Sequence, residues 1–230
     1  MRKYIYIPLT IAVISTLYLK KDEIKTVILS LKDSNALIYE DIKTPEEALE
    51  PLKEDSKPQL VFNATRGVRN YTKEEMIELI SQYSEQYRVR PILAFAIAKH
   101  ESGGIQQRRS RYEDSYYRKM KAGKLSIPKE WEEEAQDDEG IRRISTSYGV
   151  MQLMPHTALQ EAKKQGLEII SPTILMNDAD LNIRLGVAIV RGCIDTAKGD
   201  FGNLAKCYNG EADGQWAREV KKNIANMIMD

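Results

Sequence analysis

The sequence predicts an all-α, mainly helical domain that follows an N-terminal membrane-anchor helix and a linker. Three observations support this fold class. After residue 71, apolar residues recur at helical spacing, and the alternation typical of strands is nearly absent. Within that part, residues 92–98 are apolar on every face. Because a helix of this kind lies in the middle of a core, we expect it to be the centre of the domain.

Composition excludes several classes of protein. The 230 residues carry 34 Lys+Arg and 34 Asp+Glu, a net charge of +0, which argues against a nucleic-acid-binding surface. A hydrophobic share of 42% with 30% charged residues suits a soluble globular chain and not a disordered or polytopic membrane one. Two cysteines and two histidines are too few for a disulfide scaffold or a four-ligand zinc site, so we expect no metal.

Residues 1–21 have the pattern of a targeting segment. A basic pair precedes residues 4–19, an uncharged run of 16 that Lys20 and Lys21 close. This run is shorter than the roughly 20 residues that span a bilayer, although lysines at its end can snorkel. Since no small-residue cleavage site ends the run, we interpret it as an uncleaved signal-anchor, with a cleaved signal peptide and a buried helix as the alternatives.

Residues 22–70 are predicted to form a linker with a short helical segment. Residues 24–31 suit a short helix or strand. Residues 40–58 hold three prolines and seven acidic residues, which is typical of a solvated tether. The folded domain is therefore predicted to span residues 71–230.

Local signals place the helices of this domain. Thr72 and Glu75 form a capping box at the start of the first helix. Pro91 suits the first position of the apolar helix, and Gly103 and Gly104 end that helix. Apolar spacing predicts further helices over residues 128–138, 155–165, 178–197, 201–208 and 214–229.

Glu101, in the last turn of the apolar helix, is the strongest candidate for a catalytic residue. Ala94, Ile97 and Ala98 lie one or two turns before it, so its own helix gives it apolar neighbours. Such surroundings disfavour the charged carboxylate. An acid that keeps its proton near neutral pH is what cleavage of a glycosidic bond requires. The alternative interpretation is a solvated glutamate at a helix end.

The spacing of the residues around Glu101 and after residue 177 excludes three other kinds of site: a zinc site, a serine nucleophile and a calcium loop. His100 and Glu101 begin a zincin-like motif, but Gly104 stands where its second histidine is required. Ser102 lacks the glycines of a nucleophile elbow. His100 points about 100° away from Glu101 around the helix, so we interpret it as a packing or surface residue. Residues 178–189 open like a calcium loop but lack its glycine and its closing glutamate, which indicates a helix start.

Two later segments carry polar groups that suit a saccharide site. In residues 145–155, small residues lead into an apolar loop and then a proline, which allows Gln152 and the backbone to face a groove. Packing of the methionines explains this loop equally well. In residues 205–210, Tyr208 and Asn209 at a helix end can orient a carboxylate or hydrogen-bond a sugar.

These segments, in this order, resemble the soluble lytic transglycosylase domain, whose fold is similar to goose-type lysozyme. That family has a Glu-Ser pair ending a buried helix, a Gly-hydrophobic-Met-Gln-hydrophobic-Met-Pro stretch, an Asn-Ile-x-x-Gly helix and a late Ala-x-x-Tyr-Asn-x-Gly. The resemblance covers about 135 residues. In this chain the matching segments are residues 101–102, 149–155, 182–186 and 205–210.

The resemblance implies a lytic transglycosylase that cleaves the β-1,4 bond between N-acetylmuramic acid and N-acetylglucosamine in peptidoglycan glycan strands. Glu101 would be the sole acid and base, and the product would carry a 1,6-anhydro ring on its muramic acid. Because one residue serves in both protonation states, no metal or cofactor is implied. The implied substrate contacts are Ser102, Ser147, Tyr148, Met151, Gln152, Met154, Tyr208 and Asn209.

The predicted cell location determines which partners the protein can meet and whether its cysteines can form a disulfide. Together with the anchor, the resemblance implies a protein held by its N-terminal helix on the periplasmic side of the inner membrane, or exported. We expect it to open the wall for a secretion or conjugation apparatus, or for a phage. In an oxidising periplasm Cys193 and Cys207, on consecutive predicted helices, can pair, and buried free thiols are the alternative.

The chain departs from the family pattern in an insert, residues 106–144. The family often joins its first two segments by a short loop, whereas here 42 residues separate Ser102 from Ser145. The insert is interpreted either as a self-paired solvated surface or as a flap whose Arg111 or Tyr117 touches the glycan or its peptide. The last segment also has Gly210-Glu211 where Ala-Gly is usual.

The insert leaves two other functions open. A second carboxylate there would favour a muramidase that hydrolyses the same bond with water. A catalytically inactive glycan-binding or assembly module on the same fold is the third hypothesis. The candidates for the second carboxylate are Glu113, Asp114, Asp138 and Glu139.

Overall fold

Helices make up most of the part of the chain that the computed structural model describes, which is residues 44–49, 51, 69–169, 171–210 and 214–229. Two three-residue strands, β1 (Ser110–Tyr112) and β2 (Thr146–Tyr148), pair antiparallel. The all-α prediction is therefore confirmed for the domain. The helices are α1 (Lys73–Tyr87), α2 (Pro91–Ser102), α3 (Asp114–Lys121), α4 (Asp138–Ile144), α5 (Pro155–Lys164), α6 (Ile174–Asn177), α7 (Ala179–Ala197), α8 (Phe201–Tyr208) and α9 (Gln215–Met229).

The predicted anchor, residues 1–21, and most of the predicted linker lie outside the described residues. Among the residues that are described, no helix combines the length and the hydropathy needed to cross a membrane. The short 3-10 turn Glu46–Leu49 belongs to the predicted linker, yet Ala48 and Leu49 are buried. Glu46 also pairs with Lys221 of α9 at 2.6 Å, so this turn packs on the domain.

Capping residues set the helix boundaries as predicted. Thr72 and Glu75 form the capping box of α1, and Pro91 is the first residue of α2. Gly103 ends α2 in the left-handed conformation with φ 68°, which glycine adopts without steric strain. The Asp178 side chain accepts a hydrogen bond from the Leu181 backbone N–H at 3.0 Å, so this segment is a helix start and not a calcium loop.

The core is built around α2 and α7. As predicted, residues 92–98 of α2 are all buried. Helix α7 packs against α1, α5 and α8, and α9 packs against α2 and α8. This packing brings the end of α2, the end of α8 and the start of α9 together at one place. The described residues belong to one compact unit, Ile42–Asp230.

The insert folds differently from the prediction. The helix expected over residues 128–138 is wrong: the chain forms 3-10 turns at Lys129–Trp131 and Glu134–Gln136, and then α4. A new helix starts there because the Asp137 side chain accepts from the Gly140 backbone N–H at 2.6 Å. Helix α3 and the small sheet were not predicted. All three residues of β1 are exposed, so its sequence carries no alternation that would indicate a strand.

Cys193 of α7 and Cys207 of α8 form a disulfide, which settles the alternative left open by the sequence. Their Cα atoms are 5.5 Å apart, and the link joins residues 14 positions apart. Cys207 directly precedes Tyr208, so the disulfide links the end of α8 to α7. No free cysteine remains in the part of the chain described here.

Reducing this disulfide is expected to lower the free energy of unfolding by roughly 3 kcal/mol, because a loop of about 15 residues regains its entropy in the unfolded chain. Urea unfolding with and without a thiol reductant measures the difference. The double variant Cys193→Ser, Cys207→Ser should have the lower stability from the start and should not respond to reductant. Equal stability of the oxidised and reduced protein would contradict the prediction.

Candidate active site

Glu101 lies where the core reaches the protein surface. It occupies the last turn of α2 and is partly buried, whereas Ala94, Ile97 and Ala98 before it have no exposed surface. The chain leaves the helix at Gly103, and the Gly104 N–H donates to the carbonyl oxygen of Lys99 at 3.0 Å. The helix therefore presents a carboxyl at the boundary between apolar side chains and solvent.

An indole N–H holds this carboxyl. Nε1 of Trp216, the second residue of α9, donates a hydrogen bond to Glu101 Oε1 at 2.6 Å. The indole is 2% exposed. The ring of Tyr208 stacks on it with centroids 5.7 Å apart, and the ring of His100 meets it edge-on at 6.1 Å. His100 thus packs on the indole, which agrees with its interpretation as a packing residue.

Trp216 is not among the site residues predicted from the sequence, although a signal for it is present. Trp216 lies four residues before Val220 and eight before Ile224, on the stripe that buries α9. Helical spacing therefore indicates that its ring faces the core. What the spacing does not show is that α2 lies opposite, with Glu101 at its end.

Tyr208 links the carboxyl to a second part of the chain. Its hydroxyl donates to the carbonyl oxygen of Met151 at 2.9 Å. Burial, and then the nearby negative charge of Glu101, raise the pKa of Tyr208 well above its ordinary value. The phenol therefore stays protonated and remains a hydrogen-bond donor. Asn209, the next residue, is partly exposed, and its side-chain amide makes no hydrogen bond to the described residues.

Asn182 of α7 fixes the turn that carries Met151. Its Oδ1 accepts from the Met151 N–H at 2.8 Å, and its Nδ2 donates to the carbonyl oxygen of Tyr148 at 2.9 Å. The turn begins at Gly149 with φ 79°, and a Cβ there would lie 2.4 Å from the Leu175 carbonyl oxygen and 2.5 Å from Asn182. Only glycine fits that space and that backbone conformation.

Met151 itself packs into α7. Its side chain has no exposed surface and lies against Gly186, where an added Cβ would come within 2.4 Å of Met151 Cγ. Asn182 therefore binds the backbone of the turn, and Gly186 leaves room for the Met151 side chain. Three of the four segments noted in the sequence meet here, because the end of α8 contacts the same turn through Tyr208.

Gln152 is buried and adopts a left-handed backbone with φ 45°. Its Nε2 donates to the carbonyl oxygens of Gly149 at 2.9 Å and Arg109 at 3.0 Å. The Ser147 hydroxyl lies 3.2 Å from both Gln152 Oε1 and the Arg111 carbonyl oxygen. The amide of Gln152 therefore joins the turn to the start of the insert.

The predicted catalytic residue, Glu101, and the predicted substrate-binding residues fall into two groups by exposure. Glu101, Met154, Tyr208 and Asn209 keep some exposed surface. The other five are buried, namely Ser102, Ser147, Tyr148, Met151 and Gln152. They support the shape of the site, and contact of their side chains with a substrate stays a prediction. Ser102, for example, donates to the Ala98 carbonyl oxygen at 2.8 Å and accepts from the Gln106 N–H at 2.9 Å.

Charged groups of the insert pair with one another. Asp138 accepts a hydrogen bond from the Tyr117 hydroxyl and ion-pairs with Lys121 and Arg142, each at 3.1 Å. These contacts, the tyrosine's first, lower the pKa of Asp138 to about 2. Arg111 binds the Glu113 carboxylate at 2.7 Å. These contacts fit the interpretation of the insert as a self-paired surface.

The arrangement can carry out proton transfer at one carboxyl. Oε1 of Glu101 has a fixed donor, the phenol of Tyr208 lies on the same indole, and the amide of Asn209 follows at the helix end. In the described part of the chain, no group of three or more histidine, cysteine or acidic side chains is placed to hold a metal ion. The site therefore has the parts of an acid–base centre.

Comparison with known proteins gives one family. The family model described as the transglycosylase SLT domain matches residues 78–228 of the chain. The match begins in α1 and ends in α9, so it includes Glu101, the turn at Met151, Tyr208 and Trp216. Neither a curated protein nor a solved structure matches the chain.

Proposed function

Because the chain belongs to the transglycosylase SLT domain family, we propose that it is a lytic transglycosylase that cleaves peptidoglycan glycan strands with Glu101 as its acid and base. The observation that carries this proposal is the position of Glu101. Its carboxyl lies at the end of a buried helix, accepts a hydrogen bond from an indole N–H, and shares that indole with Tyr208, which contacts the Met151 turn.

The proposed reaction uses the two protonation states of Glu101 in turn. The neutral acid donates its proton to the glycosidic oxygen, and the bond from that oxygen to the muramoyl anomeric carbon breaks. The acetamido group of the substrate stabilises the cationic sugar. The Glu101 carboxylate then takes the proton from the muramoyl 6-hydroxyl, whose oxygen bonds to the anomeric carbon. The ring closes, and Glu101 recovers its proton.

Ion pairing in the insert supports a one-carboxylate mechanism. Ordinary glycosidases need a second carboxylate that is free to act as nucleophile or base. Each candidate for that role is paired with a basic side chain: Glu113 with Arg111, Asp114 with Arg118, Asp138 with Lys121 and Arg142, and Glu139 with Arg143. These contacts occupy the carboxylates with basic side chains of the insert.

Hydrolysis by the same fold is the second candidate, and the placement of Glu113 favours it. Glu113 Oε1 lies 3.5 Å from the Ser147 hydroxyl, which also contacts Gln152. Of the four acidic residues, Glu113 is thus connected by contacts to the turn that Tyr208 reaches. A muramidase would need Glu113 as well as Glu101, whereas a transglycosylase would need Glu101 alone.

Digestion of purified peptidoglycan tests the proposal. Mass spectrometry of the released sugars should show chains that end in anhydro-muramic acid, lighter by one water than the hydrolytic product. Glu113→Gln should give the same products at a similar rate. Free muramic acid ends as the only product would instead support the muramidase. Binding without any release would support an inactive glycan-binding module.

The disulfide supports an oxidising site of action. Disulfides persist in secreted and periplasmic proteins and are rare in the cytosol, and Cys193 and Cys207 are paired here. We therefore include in the proposal that the domain acts on the periplasmic side of the inner membrane, held by residues 1–21, or is exported. Fractionation of cells that produce the full chain tests this part, and a cytosolic, reduced protein would contradict it.

Tyr208→Phe is expected to slow cleavage roughly 5-fold without unfolding the protein. The variant keeps the ring that stacks on Trp216 but loses the hydroxyl that binds the Met151 carbonyl oxygen. Loss of one such hydrogen bond costs about 1 kcal/mol. Rates of muropeptide release and thermal unfolding measure the two effects. An unchanged rate would remove the hydroxyl from the proposed site.

A further inference from the structure

Trp216 makes a contact that the proposed reaction does not yet use. Its indole N–H lies 2.6 Å from one specific oxygen of Glu101, Oε1. An indole N–H can only donate a hydrogen bond. In the neutral acid, the carbonyl oxygen is the better acceptor, so the bond to Trp216 favours Oε1 as the carbonyl and Oε2 as the oxygen that carries the proton.

The surroundings of Trp216 hold its donor in place. The Tyr208 ring covers one face of the indole, and Tyr208 is itself fixed to the Met151 carbonyl oxygen. Below it on α9, Val220 and Ile224 have no exposed surface and anchor the helix in the core. A donor fixed in this way does not need to reorganise when charge develops on the carboxyl.

The bond also changes in strength during the proposed reaction. Hydrogen bonds to an ionised acceptor are stronger than those to a neutral one. The Trp216 N–H therefore stabilises Glu101 most when its proton has left for the substrate. This is the differential stabilisation that lowers an activation barrier.

We propose that Trp216 is a positioning residue for Glu101: its N–H fixes Oε1 and stabilises the carboxylate that forms when the acid proton passes to the substrate. This inference rests on the proposed function for its catalytic consequence. The hydrogen bond itself can be tested without any substrate.

The catalytic test is Trp216→Phe, which keeps an aromatic ring against Tyr208 and removes the N–H. We expect kcat to fall roughly 10- to 100-fold with little change in KM, since the lost bond is one to a charged group. The limb of the pH–rate profile that reports loss of the acid proton should move to higher pH, because the carboxylate has lost a stabilising donor.

Trp131→Phe is the matched control. Trp131 is as deeply buried as Trp216, but its Nε1 has no hydrogen-bond partner among the described residues. The same substitution there should leave kcat and the pH profile unchanged. Thermal unfolding of both variants shows whether each is folded. A Trp216→Phe enzyme with the wild-type kcat and pH profile would overturn the proposal, even while the wild type still releases anhydro products.

An NMR titration gives an answer that does not depend on activity. The chain has 2 tryptophans, so two indole N–H signals are expected. The signal that disappears in Trp216→Phe should move as Glu101 ionises and should stop doing so in Glu101→Gln. The titratable groups that contact the indole among the described residues include Glu101, His100 and Tyr208. A movement that survives Glu101→Gln but is lost in His100→Gln would overturn the proposal.

Discussion

Glu101→Gln is expected to reduce cleavage of peptidoglycan about 100- to 10,000-fold, the usual contribution of a general acid and base. The amide keeps the volume of the carboxyl, and its oxygen can still accept the hydrogen bond from Trp216 Nε1. Only the titrating proton, and with it the negative charge of the ionised form, is lost. The melting temperature should therefore stay close to that of the wild type, and the rate of muropeptide release should fall to background.

Glu78→Gln on the exposed face of α1 is the control for this change. It removes the same charge far along the chain from the site and should leave the rate unaltered. Substantial turnover by Glu101→Gln would mean that another group supplies the proton. A folded but inactive variant that still performs the biological role of the wild type would favour the inactive binding module.

Asn182→Ala is expected to cost roughly 2–4 kcal/mol of folding free energy. The change leaves two buried groups without partners, the N–H of Met151 and the carbonyl oxygen of Tyr148. A loss of this size should lower the melting temperature by about 5–15 °C. Activity should also fall, because the Met151 carbonyl oxygen that receives the Tyr208 hydroxyl is no longer fixed.

The control for this prediction is Asn226→Ala on the exposed side of α9. That variant should unfold within about 0.5 kcal/mol of the wild type. Calorimetry or urea unfolding compares the two. If Asn182→Ala is as stable as Asn226→Ala, Asn182 does not hold the turn in the way that the structure indicates.

The parts of the fold that the sequence predicted correctly depend on local signals. The capping box at Thr72, the proline that opens α2 and the Asp178 cap each act over a few residues. Helical spacing then supplies the apolar faces of the long helices. The elements of the insert could not be predicted in this way, because they depend on tertiary contacts such as the burial of the Trp131 ring. Its strand β1 is exposed and has no alternation of apolar and polar residues.

In the site, too, residue types could be predicted from the sequence but tertiary contacts could not. Glu101, Tyr208 and Asn209 could be proposed from residue type and order along the chain. The contacts between them could not, since the bond from Trp216 to Glu101 joins residues 115 positions apart. The role of Gln152 also depends on distant partners: the sequence suggested that it faces a groove, whereas its amide binds the backbone at Gly149 and Arg109.

The central claim is that the oxygen which attacks the muramoyl carbon comes from the substrate and not from water. Digestion in water enriched in heavy oxygen tests this directly. We expect anhydro-muramic ends that contain no heavy oxygen, and we expect their release to stop in Glu101→Gln. Reducing ends that carry one heavy oxygen per cleaved bond would contradict it, because water would then be the attacking group.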